Sequence, residues 1–336
     1  MLYTPKRYMN KFLTVIVLFA LLTGCKRSSA QVGGLNSARK NENFRVVGYL
    51  TVHSIENGAG ANFDFSRINY LNIAFINPDA KANFTVTPAL ANVITAAHTK
   101  NTKVLVSIGG GSAPEYYTSL LSDSLRNVLI NNLVKLVADN NLDGVDVDLE
   151  GERIDNNYEA FVTGLSAVLK LRNKLLTSAV ATAYMSRYTD KALAVYDFIN
   201  IMSYDKTGPW RPANPGQHAP YDMAVSDLDY WANTRGIAKE KLCLGVPFYG
   251  YGFGEGAPAD MNFSNIAAQY PGSENTDEVT VAGGGVIYYN GIPTIKNKTI
   301  LALKNAGGVM IWQLMGDDFG RKSLLNVINT TINSAK

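Results

Sequence analysis

The segment of this chain best able to do chemistry reads Asp143-Gly144-Val145-Asp146-Val147-Asp148-Leu149-Glu150. In an extended strand successive side chains alternate, so Asp146, Asp148 and Glu150 share one face and Val145, Val147 and Leu149 the other. The apolar face suits packing on helices. Three carboxyl groups stacked on the opposite face repel one another and are costly to desolvate, so at least one is expected to hold a proton at neutral pH. A core selected for stability alone would not choose this arrangement. A solvated edge strand or a divalent-metal site would also collect acids, but valines at the intervening positions argue against exposure. No His stands nearby to help hold a transition metal. Asp143 has the opposite parity and is expected to support the start of the strand.

A second constellation follows the same period of two. Asn200, Met202 and Tyr204 share a face, and Asp205 and Trp210 come directly after them. A Met or Tyr in a strand is most often plain core, and here the neighbouring Asp205 and Trp210 raise the interest of the pair. In GGVMIWQL (307–314), Met310, Trp312 and Leu314 are expected to face inward together. Tyr49, Phe75 and Tyr249 stand at similar strand ends as further site candidates. Gly109 and Gly110 leave room for a ligand or for close backbone approach, although turn formation is the commoner use of such glycines.

These residues need strands to carry them, and the chain supplies eight short apolar runs rich in β-branched residues: 44–50, 68–76, 103–109, 142–150, 175–182, 198–204, 241–250 and 307–314. Between them lie segments with helical periodicity, including 122–140, 157–171, 226–236 and 298–306. Repeated strand–helix units imply a parallel sheet. With no linker-like break after residue 44, the length matches one α/β domain, a (β/α)8 TIM barrel of roughly 250 residues plus insertions. A doubly wound open sheet is the alternative, but no Gly-x-Gly-x-x-Gly turn follows the first strand. In such a barrel the chemistry is expected at the C-terminal ends of the strands.

Of the 336 residues, 46% are hydrophobic and 18% charged, the composition of a folded globular protein. The formal charge of +3 falls to zero without the first 24 residues, which hold Lys6, Arg7 and Lys11 and no acid, so bulk charge offers no support for nucleic-acid or membrane-surface binding. That leading segment has an apolar run from Phe12 to Leu22, short for a bilayer span, and ends Leu22-Thr23-Gly24-Cys25. It resembles the lipobox of bacterial lipoproteins, in which cleavage precedes the Cys and its thiol is lipidated; an ordinary secretory signal with an incidental Cys is the alternative. Either reading exports the protein. The expected organisation is a signal peptide over 1–24, a flexible polar tether over 25–43 and a catalytic barrel over 44–336, lipid-anchored to the cell envelope through Cys25. Cys243, the one other cysteine, is expected to be a buried strand residue.

Asp143-x-x-Asp146-x-Asp148-x-Glu150 resembles the signature of glycoside hydrolase family 18, the chitinases and related endo-N-acetylglucosaminidases. Ser107-Ile108-Gly109-Gly110 is similar to the family's Ser-x-Gly-Gly motif on the third strand. Met202-Ser203-Tyr204-Asp205, followed by Gly208-Pro209-Trp210, is similar to its sixth-strand segment. LGVPFYGYGF (244–253) and GGVMIWQL (307–314) resemble its seventh and eighth strands. The resemblance implies substrate-assisted hydrolysis, an exception to the usual two-carboxylate scheme. Glu150 would be the general acid on the glycosidic oxygen, and the sugar's own 2-acetamido carbonyl would attack the anomeric carbon with net retention. Asp148 would hold the acetamide N–H and raise the proton affinity of Glu150, while Asp146 would share a proton with Asp148. Tyr204 would hold the acetamide oxygen, Asp205 would contact the sugar and Trp312 would lie under it. Trp210, Met202, Tyr49, Phe75, Tyr249, Gly109 and Gly110 complete the expected substrate site.

Leu149 departs from the family, many of whose chitinases carry Trp there, and its position facing the helices implies little effect on chemistry. The segment between Phe253 and Gly307 is too short for the full α+β domain that many processive members insert before the last strand. An open groove suited to endo cleavage is therefore expected. The implied activity is cleavage of β-1,4 bonds in N-acetylglucosamine polymers or oligosaccharides by a monomer with no metal or organic cofactor. Cleavage of the chitobiose core of N-glycans, or sugar binding without catalysis, are the alternatives; peptidoglycan also remains open as a substrate.

Overall fold

The structure, a computed structural model, describes residues 44–60 and 63–335; Cys25 and the expected signal peptide and tether lie outside the described residues. Eight parallel strands close into a barrel. In chain order they are β1 (Arg45–Thr51), β2 (Tyr70–Ala74), β3 (Lys103–Gly109), β4 (Gly144–Asp148), β5 (Leu175–Val180), β6 (Phe198–Ile201), β7 (Leu242–Pro247) and, as the last barrel strand, β12 (Gly308–Trp312). β12 pairs with both β1 and β7, which closes the ring.

Alternation along each strand divides the apolar residues between two cores. Val46, Leu50, Ile73, Val104, Val106, Val145, Val147, Ile199, Ile201, Leu244 and Val309 face the surrounding helices. Val47, Tyr49, Ala74, Phe198, Tyr204, Cys243 and Met310 fill the interior. Each aliphatic side chain removed from water in this way contributes about 1.5–3 kcal/mol. The helix Arg126–Asp139 shows how the outer layer forms: Leu129, Ile130, Leu133, Val134, Leu136 and Val137 make one buried stripe against the barrel.

β3 coincides with its apolar run and β1 is shifted by one residue, while the other strands are shorter than their runs, and two differences matter for the site. β4 ends at Asp148 and β6 at Ile201, so Glu150 and Tyr204 lie past the strand ends, in the loops of the C-terminal face. The run 241–250 divides at Pro247, which has no N–H for the ladder. The chain then leaves the barrel and begins a second sheet.

That sheet contains β8 (Tyr249–Phe253), β9 (Asp260–Asn262), β10 (Glu278–Thr280) and β11 (Val286–Tyr288), all antiparallel in the order β10-β11-β8-β9, with a helix at Phe263–Gln269. It is smaller than a full domain, yet it builds a wall where an open groove was expected. In β8 the alternation Tyr-Gly-Tyr-Gly-Phe decides the faces. A Cβ at Gly250 would lie 2.5 Å from the Tyr288 carbonyl and one at Gly252 2.1 Å from the Pro258 carbonyl, so only glycine allows these backbones to meet. The three aromatic residues project from the other face.

Helix limits also shift. The segment expected at 226–236 begins at Tyr221, behind an extended Pro220, and passes into a π-helical turn over Tyr230–Thr234. The one expected at 298–306 begins at Ile292, with Pro293 in its first turn where no intrahelical N–H is needed.

Candidate active site

Asp146 lies at the centre of the barrel with no exposure to solvent. Its Oδ2 accepts from the Tyr49 hydroxyl on β1 and the Ser107 hydroxyl on β3, both at 2.7 Å. Its Oδ1 accepts from the Thr177 hydroxyl on β5 at 2.6 Å and the Asn200 amide on β6 at 3.4 Å. Burial pushes this carboxyl above the ordinary Asp range, and the four donors pull against that shift. The charge of Asp146 in turn raises Asp148, the residue with which it was expected to share a proton. The neighbouring strands supply the donors, which β4 in isolation does not reveal.

Asp148, one layer nearer the groove, is 4% exposed, and its Oδ1 has no hydrogen-bond partner within the protein. Burial raises it well above the usual carboxylate range, and the negative charges of Glu150 and Asp146 add to this. Glu150 follows in extended conformation at φ −124° and ψ 153°, keeping the parity of β4 beyond the strand's end. Its carboxyl is pushed up to about 7, first by burial and then by the charge of Asp205, with Arg153 pulling it down. The arrangement therefore offers a carboxyl poised to give up a proton near neutrality, beside a second that resists ionisation. Asp143, on the other face, accepts from Val104 N at 2.8 Å and sits 2.9 Å from His98 Nε2, bracing the start of β4.

Tyr204 is buried in the interior core, its hydroxyl 3.7 Å from the Met310 sulfur, with Met202 half-buried beside that core. Asp205 has a φ of +62°, a left-handed conformation that Asp tolerates better than most residues. Its Oδ1 accepts from the Tyr249 hydroxyl at 2.5 Å and lies 3.3 Å from His218 Nδ1. Trp210 is 54% exposed and meets the Tyr251 ring edge-on at 5.2 Å, so the β8 wall and the loop after β6 share an aromatic surface. Trp312 sits between Tyr49, 5.4 Å away, and Phe75, stacked on it at 5.5 Å and 25°.

Several expected sugar contacts lie below the surface instead. Tyr49 is 1% exposed and serves Asp146. Gly109 and Gly110 are buried with φ of +107° and +84°, and Cβ atoms there would lie 2.2 Å from the Asp148 carbonyl and 2.4 Å from the Phe75 ring. They make the turn that lets β3 approach β4. Leu314 does not share the inward face of Met310 and Trp312: β12 stops at Trp312, and after a 3-10 turn Leu314 packs in the outer core over Gly48.

Sequence reasoning did not single out Thr177, Arg153 or Tyr251, and it met His218 only as part of the chitinase-like GQHAP segment (216–220). Thr177 looks like any polar strand residue, and His218 acquires meaning only through its distant partner Asp205. Tyr251 carried a usable signal in the alternating Tyr-Gly-Tyr-Gly-Phe, obscured by treating 241–250 as a single barrel strand. Among the described residues, no group of three or more His, Cys, Asp or Glu side chains is placed to hold a metal ion.

Known proteins with this geometry are readily found. The chain is similar to the crystal structure of a family 18 chitinase from the chitin utilization locus of Flavobacterium johnsoniae: 36% identity, 86% of this chain and 94% of that one covered, TM-score 0.79. It is similar to a chitinase from Bacteroides thetaiotaomicron at 30% identity, 87% and 97% coverage and TM-score 0.76. Human chitinase-3-like protein 2 is 27% identical, with 70% of this chain and 75% of that protein covered. The chain spans between 10% and 58% of the length of several further curated relatives. A sequence profile described as glycosyl hydrolases family 18 matches residues 45–317. Since that match runs from the first residue of β1 to the turn after β12 and takes in every strand that carries a site residue, the chain belongs to the glycosyl hydrolases family 18.

Proposed function

We propose that this protein is an exported, lipid-anchored chitinase that hydrolyses β-1,4 bonds between N-acetylglucosamine units, with Glu150 as the acid and the substrate's acetamide as the nucleophile. The observation that carries the reading is the graded carboxylate column on β4: Asp146 satisfied by four donors, Asp148 buried with a free acceptor, and Glu150 held up to about 7. The names of the bacterial relatives at 30% and 36% identity support chitin as the polymer.

In the proposed cycle the Glu150 carboxyl gives its proton to the glycosidic oxygen as the bond to the anomeric carbon breaks. The acetamide carbonyl oxygen bonds to that carbon and forms an oxazolinium ion, whose N–H donates to Asp148 Oδ1. Tyr204 steadies the acetamide oxygen. Water, deprotonated by Glu150, then opens the ring, so the product retains its configuration. Trp312 lies under the sugar, and Trp210 with Tyr251 receives the chain further along the groove.

The test is product analysis by mass spectrometry, with wild type and Glu150→Gln incubated in parallel with chitohexaose and a high-mannose glycopeptide. Chitooligosaccharides from wild type are expected, with proton NMR showing the β anomer first. Glu150→Gln should lower kcat by about 10²–10⁴-fold while sparing sugar binding. Release of glycan with one N-acetylglucosamine left on the peptide would transfer the same residues to N-glycan cleavage. No product from either substrate would leave a sugar-binding protein.

A further inference from the structure

His218 is one of three histidines in the chain and is fully buried behind the groove. Its Nε2 lies 3.3 Å from the carbonyl oxygen of Tyr249 and its Nδ1 3.3 Å from Asp205 Oδ1. A carbonyl oxygen only accepts, so Nε2 must be the donor on that side. The carboxylate oxygen at Nδ1 likewise calls for a donor. The ring serves both neighbours as a donor only when both nitrogens carry hydrogen.

The surroundings hold the ring in place. The Tyr249 and Tyr251 rings flank it at 5.0 and 4.9 Å. The His218 carbonyl accepts from Lys206 N at 2.9 Å, and the next carbonyl, of Ala219, accepts from the buried Lys298 Nζ at 2.7 Å and from Asn290 Nδ2 at 3.0 Å. On its other side, Gln217 donates to the Asp277 carbonyl. Asp205, Tyr249, Tyr251, Lys206, Lys298 and Asp277 are thus the titratable residues around His218, and Asp205 is the carboxylate that its ring nitrogen meets. Tyr249 donates to the same Oδ1, and the Tyr251 hydroxyl also interacts with this carboxyl, whose side chain is 40% exposed.

We propose that His218 is a positioning residue that, through its Nδ1 contact with Oδ1, fixes the Asp205 carboxyl and offsets its negative charge beside Glu150. This rests on the reading of Glu150 as the acid. The charges acting on Glu150 are those of Asp205 and Arg153, with Asp148 two residues before it at the end of β4, so any change in the effective charge of Asp205 is felt at the acid.

Two variants separate position from charge. His218→Asn keeps a neutral donor near the place of Nδ1; His218→Phe keeps a ring and removes both donors. In His218→Phe, KM for chitohexaose should rise about fivefold, the loss of roughly one hydrogen bond. The basic limb of kcat/KM should move up by about half a pH unit as Asp205 acts unopposed on Glu150. His218→Asn should recover most of KM but keep the displaced limb, a split that a packing role would not produce. Basic limbs that coincide with wild type in both variants overturn the proposal, and thermal melting confirms that each variant is folded. Chitohexaose binding by calorimetry in the Glu150→Gln background, with and without His218→Phe, does not depend on the identity of the acid. If Glu150→Gln still turns over, the reading of the acid fails, and unchanged binding in that pair then overturns the placement of Asp205.

Discussion

At the scale of single residues, the proton affinity of Glu150 is set by burial together with two charges of opposite sign. Asp205 raises it and Arg153 lowers it, to a net value of about 7. As general acid Glu150 must be protonated, so the proposed activity should fall as pH rises through about 7. Asp205→Asn removes a nearby negative charge, makes the Glu150 anion less unfavourable, and should move that limb to lower pH. Arg153→Gln removes a positive charge and should move it to higher pH. Opposite displacements in pH profiles of kcat/KM are the expected result; displacement in the same direction would mean that these charges do not govern the acid. The identity of the carboxylates was legible from spacing alone, because a period of two is a local property of any strand. The sign and size of the field on Glu150 were not, because Asp205, whose charge raises it most after burial, arrives from the loop after β6.

At the scale of elements, the end of β3 is the feature on which the carboxylate column depends. Asn77 binds both polar backbone groups of Gly109, donating to its carbonyl at 2.9 Å and accepting from its N–H at 2.7 Å, while Gly110 N donates to the Asp148 carbonyl at 2.7 Å. Gly109→Ala meets two penalties, a φ of +107° and a Cβ 2.2 Å from the Asp148 carbonyl. Gly58→Ala meets only the first, with φ +83° and nothing within 4 Å. Calorimetric melting should therefore show a loss of about 1 kcal/mol for Gly58→Ala and more for Gly109→Ala, the difference measuring the approach of β3 to β4. Equal losses would mean that β3 can draw back freely. The eight barrel strands were visible as apolar runs, and β3 to the residue, but the ends of most others were not, since apolar residues continue into loops that bury against the same core. The break at Pro247 was the most consequential, for it turned the end of a supposed barrel strand into the start of the aromatic β8.

For the whole molecule, β1 begins at Arg45 on the N-terminal side of the barrel, the end opposite to the one where Glu150, Asp205 and Trp312 gather. With lipid attachment at Cys25 as proposed, wild type should partition into the detergent phase of Triton X-114 and Cys25→Ala into the aqueous phase, at equal kcat on soluble chitooligosaccharides. Wild type in the aqueous phase would remove the anchor from the proposal. Sequence by itself determined the barrel, the strand that carries the acids, their shared face and the family, because each rests on short-range periodicity or on side-chain types within one run. Only the tertiary structure decided that four strands converge on Asp146, that Gly109 and Gly110 serve a turn, that Leu314 faces outward and that His218 stands behind Asp205. Barrel closure brings Tyr49 and Asp146, separated by 97 positions, to within 2.7 Å, and no local pattern encodes which hydroxyl will meet which carboxylate.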